Sequence, residues 1–175
     1  MEIIYLSGNS LDNKNWIEKV KENFDDFSEG EILNYDHWQS GEKWINLKKE
    51  AEKLKDLVIN KSDYYVFAKS IGTILTLKGI NENFLKPKKM IFCGFPYSAG
   101  LREGLEMKSI LKNLIIPVIF IHNEFDPVGS FEEVAKILKN NPPKNYQLIK
   151  IPNNSTHDYE NYEELKEIAK NFFRD

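Results

Sequence analysis

The stretch that decides the fold runs from Tyr64 to Gly72 and reads YYVFAKSIG. Its first four residues are aromatic or β-branched, which is typical of a buried strand. The small-x-Ser-x-Gly pattern that follows, from Ala68 to Gly72, is typical of a sharp turn between a strand and a helix, because the residues two before and two after the serine must be small. We therefore predict that Ser70 lies on a tight strand-to-helix turn.

Similar short runs of β-branched and aromatic residues recur along the chain. They predict six strands, at residues 3–6, 31–35, 64–67, 89–93, 118–121 and 146–151. The segments between the strands have helical spacing, with apolar faces at Trp16–Phe24, Trp44–Val58, Ile71–Leu77, Phe131–Leu138 and Tyr162–Phe172. This alternation predicts right-handed crossovers and a mostly parallel sheet with helices on both faces, which is a three-layer α/β/α sandwich.

Composition limits the class of protein. The chain has 175 residues, of which 41% are hydrophobic and 29% charged, so we expect one globular domain over residues 1–175 that buries about 70% of its unfolded surface. No apolar run approaches the roughly 20 residues of a membrane-spanning helix, so no membrane association is expected. The 24 Lys and Arg are interleaved with 27 Asp and Glu, which argues against a nucleic-acid partner.

The N-terminal residues and the single cysteine indicate a reducing compartment, and the sequence lacks the common phosphate-binding motifs. The first five residues have neither the basic nor the apolar region of a signal peptide, so we expect a cytoplasmic protein. The single cysteine, Cys93, cannot form an internal disulfide and is expected to be a buried thiol. Neither a G-x-G-x-x-G turn nor a G-x-x-x-x-G-K-[ST] loop occurs, which excludes the common dinucleotide and nucleoside triphosphate motifs. The sequence leaves the oligomeric state open.

Polar residues stand at the predicted carboxyl ends of the strands, where open α/β sheets bind ligands. A nucleophilic serine needs a base within hydrogen-bond reach and an acid that orients the base. Of the three histidines, only His157 follows a suitable acid, Asp126, and lies between the last strand and the last helix. The chain order Ser70, Asp126, His157 is therefore the candidate catalytic triad. Glu124 is the alternative acid, and Asp158 is expected to be a surface charge.

Two backbone N–H groups are needed to stabilise a tetrahedral oxyanion. The residue after the nucleophile, Ile71, supplies the first, and Asn9 in the turn after the first strand is the expected second donor. We place four further side chains in the predicted substrate-binding wall: Ser10, His37, Trp38 and Phe95. Packing alone explains His37 and Trp38 equally well. Lys69, next to the serine, is expected to be exposed.

These residues together resemble the α/β-hydrolase superfamily, and in particular its small lidless members similar to dienelactone-hydrolase-like esterases. The resemblance rests on five segments: Ser7–Asn9, Phe67–Gly72, Phe92–Pro96, Pro117–Asp126 with Pro127, and His157. It implies a compact fold without a cap domain and an open site for small or peptide-like acyl groups. It also implies a serine hydrolase with Ser70 as nucleophile, His157 as base and Asp126 as orienting acid, which needs no metal and no organic cofactor.

Two departures from this family accompany the resemblance. Ala68 stands where the elbow usually has glycine, and the early loop lacks the His-Gly pair that is common in the family. A protein that keeps this fold as a non-catalytic binding or interaction module is the alternative reading. Transfer of the acyl group to an acceptor other than water would use the same triad.

Overall fold

The computed structural model describes residues 1–174 and contains one six-stranded sheet. The strands span Glu2–Leu6 (β1), Glu29–Ile32 (β2), Tyr64–Lys69 (β3), Met90–Cys93 (β4), Val118–Asn123 (β5) and Tyr146–Ile151 (β6). Their order across the sheet is β2-β1-β3-β4-β5-β6, and every neighbouring pair is parallel. All six carboxyl ends therefore lie at one edge of the sheet.

Helices connect the strands. They span Asp12–Phe24 (α1), His37–Ser40 (α2), Leu47–Val58 (α3), Ile71–Asn81 (α4), Tyr97–Arg102 (α5), Met107–Asn113 (α6), Phe131–Asn140 (α7) and Tyr162–Arg174 (α8). Among residues 1–174, no helix has the length and apolar character needed to cross a bilayer.

The core is divided into two apolar layers, one on each face of the sheet. On one face, α1 and α8 bury Trp16, Phe24 and Phe173 against side chains of the sheet that include Phe67. On the other face, α3, α4, α6 and α7 bury a second cluster. Successive side chains of a strand point to opposite faces, so continuously apolar strands such as Met90–Cys93 feed both layers. The predicted α/β/α sandwich and its parallel sheet are confirmed.

The second strand begins two residues and ends three residues earlier than predicted. The sequence predicts a strand at residues 31–35, whereas β2 pairs with β1 from Glu29 to Ile32. β2 is an edge strand with half-exposed side chains, so its position is set by the ladder to β1 and not by apolar content. Leu33 and Tyr35, which suggested the strand, are buried just beyond its end.

Helix α3 begins later than its apolar spacing predicts. Trp44 was expected on its buried face, but the side chain is 67% exposed and lies before the helix. The helix starts after Asn46, whose side chain accepts a hydrogen bond from Lys49 N–H at 3.1 Å. This N-cap fixes the start of the helix and leaves Trp44 in the preceding loop. Helix α4 also continues through Gly79 to Asn81, further than predicted.

Candidate active site

Ser70 lies on the turn between β3 and α4 in a strained backbone conformation. Its φ of 52° and ψ of −124° are rare for a residue with a side chain. The Ser70 N–H donates to the Cys93 carbonyl at 2.9 Å, and the Ser70 carbonyl accepts from Thr73 N–H at 2.9 Å. The hydroxyl makes no hydrogen bond to any residue between 1 and 174 and lines an open cleft. The backbone of Ser70 is thus held while its hydroxyl stays available.

The small residues on either side of the serine have different roles. Gly72 is required by packing, because an added Cβ would lie 2.6 Å from the Leu6 carbonyl oxygen. Its N–H donates to the Ser7 carbonyl at 3.0 Å, so α4 begins in direct contact with the end of β1. Ala68 is buried within β3 and has no positive φ. The departure from glycine at this position is therefore compatible with the turn, which needs a small side chain here and no left-handed backbone.

His157 and Asp126 form a hydrogen-bonded pair. His157 Nδ1 lies 2.8 Å from Asp126 Oδ2 and 3.0 Å from Oδ1. A carboxylate oxygen accepts hydrogen bonds, so Nδ1 carries a proton, and in the neutral ring Nε2 then keeps its lone pair. His157 Nε2 is buried and has no hydrogen-bond partner in the part of the chain that the structure describes. The ring therefore presents an unused acceptor, which is what a general base requires.

Asp126 is held in its ionised form by several donors. Besides His157, the Val128 N–H donates to Oδ1 at 2.9 Å and the Tyr159 hydroxyl donates to Oδ2 at 2.8 Å. Burial of the side chain, which is 3% exposed, opposes ionisation, but these hydrogen bonds outweigh it and keep the pKa of Asp126 below its ordinary value. Asp126 is therefore a buried carboxylate that orients the imidazole.

The serine and the histidine lie against consecutive residues at the end of β4. Ser70 N–H is bonded to the carbonyl of Cys93, and the His157 ring lies over Gly94, where an added Cβ would be 2.7 Å from His157 Cε1. Gly94 has a φ of 60°. Within residues 1–174, no hydrogen bond joins the Ser70 hydroxyl to His157. In enzymes without substrate such bonds are often long and tighten when substrate binds.

The other candidate acids and histidines have different partners. Glu124 pairs with Lys150 at 3.1 Å, which takes its carboxylate away from the imidazole, and Asp158 is exposed. His122 is buried, with Nε2 donating to the Gly129 carbonyl at 2.5 Å and lying 4.0 Å from Asp126 Oδ2. Burial lowers the pKa of His122, so this ring is neutral and structural.

Two backbone N–H groups near Ser70 are free. Ile71 and Asn9 line the same cleft as the serine, and neither N–H donates to a residue in the described range. Ile71 is the first residue of α4, where N–H groups and the helix dipole favour negative charge. The predicted pair of oxyanion donors is therefore brought together with the candidate nucleophile.

The cleft has a volume of about 310 Å³ and an open mouth. Its walls come from the loop before α3, from α5 and from the loop after β5. The lining residues are Asn9, Trp44, Ile45, Ser70, Ile71, Pro96, Ala99, Arg102, Glu103 and Val128. The surface near the serine is thus mainly apolar, and its two charged side chains are exposed.

The four side chains predicted to form a substrate-binding wall do not line this cleft. Ser10 is exposed and its hydroxyl accepts from Asn13 Nδ2 at 2.6 Å. Phe95 is buried in the core, with its ring centroid 5.3 Å from that of Phe120. His37 and Trp38 both donate to the carbonyl oxygen of Asn9, at 2.6 and 3.1 Å. They lie behind the cleft and contact a residue that lines it.

Lys69 is buried, contrary to the expectation from sequence. Its side chain is 3% exposed, donates to Asn13 Oδ1 at 2.6 Å and lies 4.9 Å from the centroid of the Trp16 ring. Burial lowers the pKa of Lys69. Because Asn13 also donates to Ser10, this contact ties the serine turn to the loop that carries Asn9.

Two residues that support the pair of His157 and Asp126 were missed by sequence reasoning. Tyr159 donates to Asp126, and its hydroxyl also accepts from Asn123 N–H at 3.2 Å. The Asn123 side chain donates to the carbonyls of Thr156 and Asp158, both at 2.9 Å, and so fixes the backbone on either side of His157. The position of Asn123 at the end of β5 was the only sequence signal for either residue.

Comparison with solved structures identifies the fold. An uncharacterised protein from Bacillus cereus superimposes with a TM-score of 0.77 at 19% identity, over 99% of this chain and 60% of that one. Est1E from Butyrivibrio proteoclasticus, bound to ferulic acid, gives a TM-score of 0.74 at 16% identity, over 99% and 88%. A homologue of α/β serine hydrolases from Coxiella burnetii gives 0.74 at 16%, over 96% and 82%.

The chain has an α/β-hydrolase fold. No protein-family model and no curated protein matches its sequence. The chain spans 60% of the length of the Bacillus cereus protein. At these identities the α/β-hydrolase fold is shared, and the chemistry of this chain has to be argued from its own residues.

Proposed function

We propose that this protein is a serine hydrolase that cleaves a carboxylic ester or a related acyl bond through an acyl-enzyme intermediate. The observation that carries the proposal is Ser70 on a turn with φ of 52°, with no hydrogen bond to its hydroxyl in the described residues. Ser70 N–H is hydrogen-bonded to the Cys93 carbonyl, and the imidazole of His157, whose Nε2 is buried without a partner, packs on the next residue, Gly94. Strain of this kind persists where the surrounding structure holds it, and it clusters at active sites. The strained turn is the more specific of the two features, because His37 and His122 each also have a buried ring nitrogen without a partner in the described residues, whereas a binding module has no need of strain at a serine.

In the first half of the proposed reaction, Ser70 Oγ attacks the carbonyl carbon of the substrate and its proton passes to His157 Nε2. Asp126 keeps the imidazole in the required tautomer through the bond at 2.8 Å and stabilises the imidazolium. The N–H groups of Ile71 and Asn9 stabilise the oxyanion. The tetrahedral intermediate then collapses, the ester C–O bond breaks, and Nε2 donates its proton to the leaving alcohol.

In the second half, water replaces the alcohol. His157 Nε2 takes a proton from water, whose oxygen attacks the acyl carbon, and the same two N–H groups stabilise the second oxyanion. Collapse releases the carboxylic acid, and the imidazolium returns a proton to Ser70 Oγ. The open mouth of the cleft gives water direct access to the acyl-enzyme.

The cleft favours a compact acyl group. Its volume of about 310 Å³ is at the lower end of the range for small-molecule sites. The residues that line it include the apolar Ile45, Pro96 and Ala99. We therefore propose small apolar or aromatic acyl esters as the first substrates to test.

A fluorophosphonate probe tests the proposal directly. The wild type should be labelled on one serine, and Ser70→Ala should remain unlabelled while it stays folded by circular dichroism. Absence of labelling in the folded wild type would contradict the proposal and favour the binding module. Hydrolysis of p-nitrophenyl esters of graded chain length would then define the acyl group, and product analysis with added alcohols would separate hydrolysis from acyl transfer.

A further inference from the structure

Asn9 has four groups that can form hydrogen bonds, and three of them are bound to residues 37–45. Its carbonyl accepts from His37 Nε2–H at 2.6 Å and from Trp38 Nε1–H at 3.1 Å. Its side-chain oxygen accepts from Ile45 N–H at 2.8 Å, and its side-chain nitrogen donates to the Lys43 carbonyl at 3.0 Å. Only the N–H has no partner within residues 1–174, and Asn9 is one of the residues that line the cleft.

The two side-chain donors are themselves held in place. The ring of Tyr35 is stacked on that of His37, with a centroid distance of 5.8 Å, and lies 4.7 Å from that of Trp38. The Tyr35 hydroxyl donates to the carbonyl of Ser7, two residues before Asn9. His37 and Tyr35 are both buried. The cluster therefore holds the loop after β1 at two points from the same side.

We infer that His37 and Trp38 are positioning residues of the oxyanion hole, an inference that rests on the proposed function. An oxyanion donor is effective when it is oriented before the charge develops, because no reorganisation is then needed during the reaction. Two N–H donors on the Asn9 carbonyl oxygen use both of its lone pairs and fix the peptide that follows Asn9. The Asn9 N–H belongs to the peptide before it, which is held between this carbonyl, the bonded Asn9 side chain and the Ser7 carbonyl that Tyr35 binds. The remaining N–H is thereby kept free for the substrate oxygen.

A role in packing alone would not need these donors. Apolar side chains of similar size would fill the same volume without donating to the carbonyl of Asn9. The test therefore removes the imidazole or the indole N–H that donates to the Asn9 carbonyl oxygen. Trp38→Phe and His37→Leu each remove one donor and keep an apolar side chain, whereas His37→Gln keeps an N–H donor.

The experiment measures kcat and KM on the best p-nitrophenyl ester, the rate of fluorophosphonate labelling, and the melting temperature of each variant. Trp38→Phe and His37→Leu should lower kcat about tenfold to a hundredfold, as small misplacements of catalytic groups do. KM should stay within about twofold, because the interaction is made in the transition state. The labelling rate should fall with kcat, since the phosphonyl oxygen uses the same donors, and His37→Gln should recover part of the loss.

Tyr64→Phe is the matched control. It removes a partly buried hydrogen bond of 2.7 Å, from Lys86 N–H to the Tyr64 hydroxyl, at the opposite end of β3. It should lower the melting temperature and leave kcat unchanged. Full kcat in Trp38→Phe and His37→Leu, or a loss confined to KM, would overturn the inference while an active wild type upholds the proposed function. A wild type that neither labels nor hydrolyses any ester would overturn both.

Discussion

The Tyr159 hydroxyl donates to Asp126 Oδ2 at 2.8 Å, the same carboxylate oxygen that His157 Nδ1 approaches to 2.8 Å. A tyrosine two residues after the candidate base thus shares its acceptor. Because Tyr159 is 4% exposed, this bond is shielded from water. The orientation of the imidazole therefore depends on a residue that does not itself reach the cleft.

Tyr159→Phe should lower kcat by about tenfold, which corresponds to about 1.4 kcal/mol of transition-state stabilisation. The loss of one donor also raises the pKa of Asp126 towards its ordinary value. Steady-state kinetics of the two proteins would measure the effect. Tyr162→Phe is the control, since the Tyr162 hydroxyl has no hydrogen bond within residues 1–174. Equal kcat in all three proteins would show that Tyr159 has no part in orienting the pair.

His157→Ala and Asp126→Ala should separate activity from stability. Both should lower kcat by roughly 10³-fold or more, as loss of a triad member does. Removal of His157 leaves Asp126 with its bonds to Val128 N–H and the Tyr159 hydroxyl, so it should destabilise the protein less than removal of Asp126. Removal of Asp126 leaves the Val128 N–H and the Tyr159 hydroxyl without their acceptor and should cost about 1–3 kcal/mol. Urea unfolding would test this difference, and residual turnover near wild type in His157→Ala would mean that another base acts.

Gly72→Ala should destabilise the protein by about 1–3 kcal/mol, because the new Cβ would lie 2.6 Å from the carbonyl oxygen of Leu6. The destabilisation by this clash outweighs the stabilisation of up to about 1 kcal/mol that the higher helix propensity of alanine gives. The matched substitution is Gly129→Ala, where an added Cβ meets nothing within 4 Å. Chemical denaturation should show a large loss only for the first. A Gly72→Ala protein as stable as wild type would show that α4 moves away from β1 at little cost.

Acid should weaken the contact between the start of α2 and α3. Lys49 and Lys53 lower the pKa of Asp36 to about 2 through ion pairs of 2.7 and 2.5 Å. A carboxylate whose pKa is lower in the folded state stabilises the protein above its ordinary pKa, and that contribution disappears as the pH falls from about 4 to about 2. Asp36→Asn should therefore reduce the loss of unfolding free energy between pH 5 and pH 2. In a Lys49→Met, Lys53→Met background the same substitution should have no such effect.

The thiol of Cys93 should be unreactive in the folded protein. The side chain is fully buried, and burial raises the pKa of its thiol. Ellman's reagent at pH 8 should detect no thiol until a denaturant is added, and then one per chain. Rapid reaction without denaturant would show that the end of β4 opens readily. It would also show that labelling at the active site has to be assigned by peptide mapping.

Much of the architecture could be predicted because it follows from the spacing of apolar residues along the chain. Five of the six strands lie within two residues of their predicted positions, since buried parallel strands such as Met90–Cys93 are continuously apolar. The edge strand β2 is the exception, because its half-exposed side chains carry little hydrophobic signal. Trp44 shows the opposite error, in which an aromatic residue at helical spacing is exposed at the mouth of a cleft.

The parts of the candidate site that depend on the order of residues along the chain could be predicted. Contacts between side chains that are distant in sequence could not. The pairing of Asp126 with His157 follows from their places after β5 and β6. The burial of Lys69 does not, because it depends on Asn13 and Trp16 of α1. His37 and Trp38 were placed against the substrate by their proximity in sequence to a strand end, whereas they contact Asn9.

The backbone conformation at Ser70 is strained, and the proposed role of the hydroxyl explains why a serine is found there. Glycine adopts φ of 52° freely, whereas alanine pays the same penalty as serine. Ser70→Gly should therefore melt at a higher temperature than Ser70→Ala, although both lack the proposed nucleophile. Under the proposed function, a descendant of this protein that lost catalysis would become more stable by exchanging this serine for glycine, so relatives that keep the serine are expected to keep the activity.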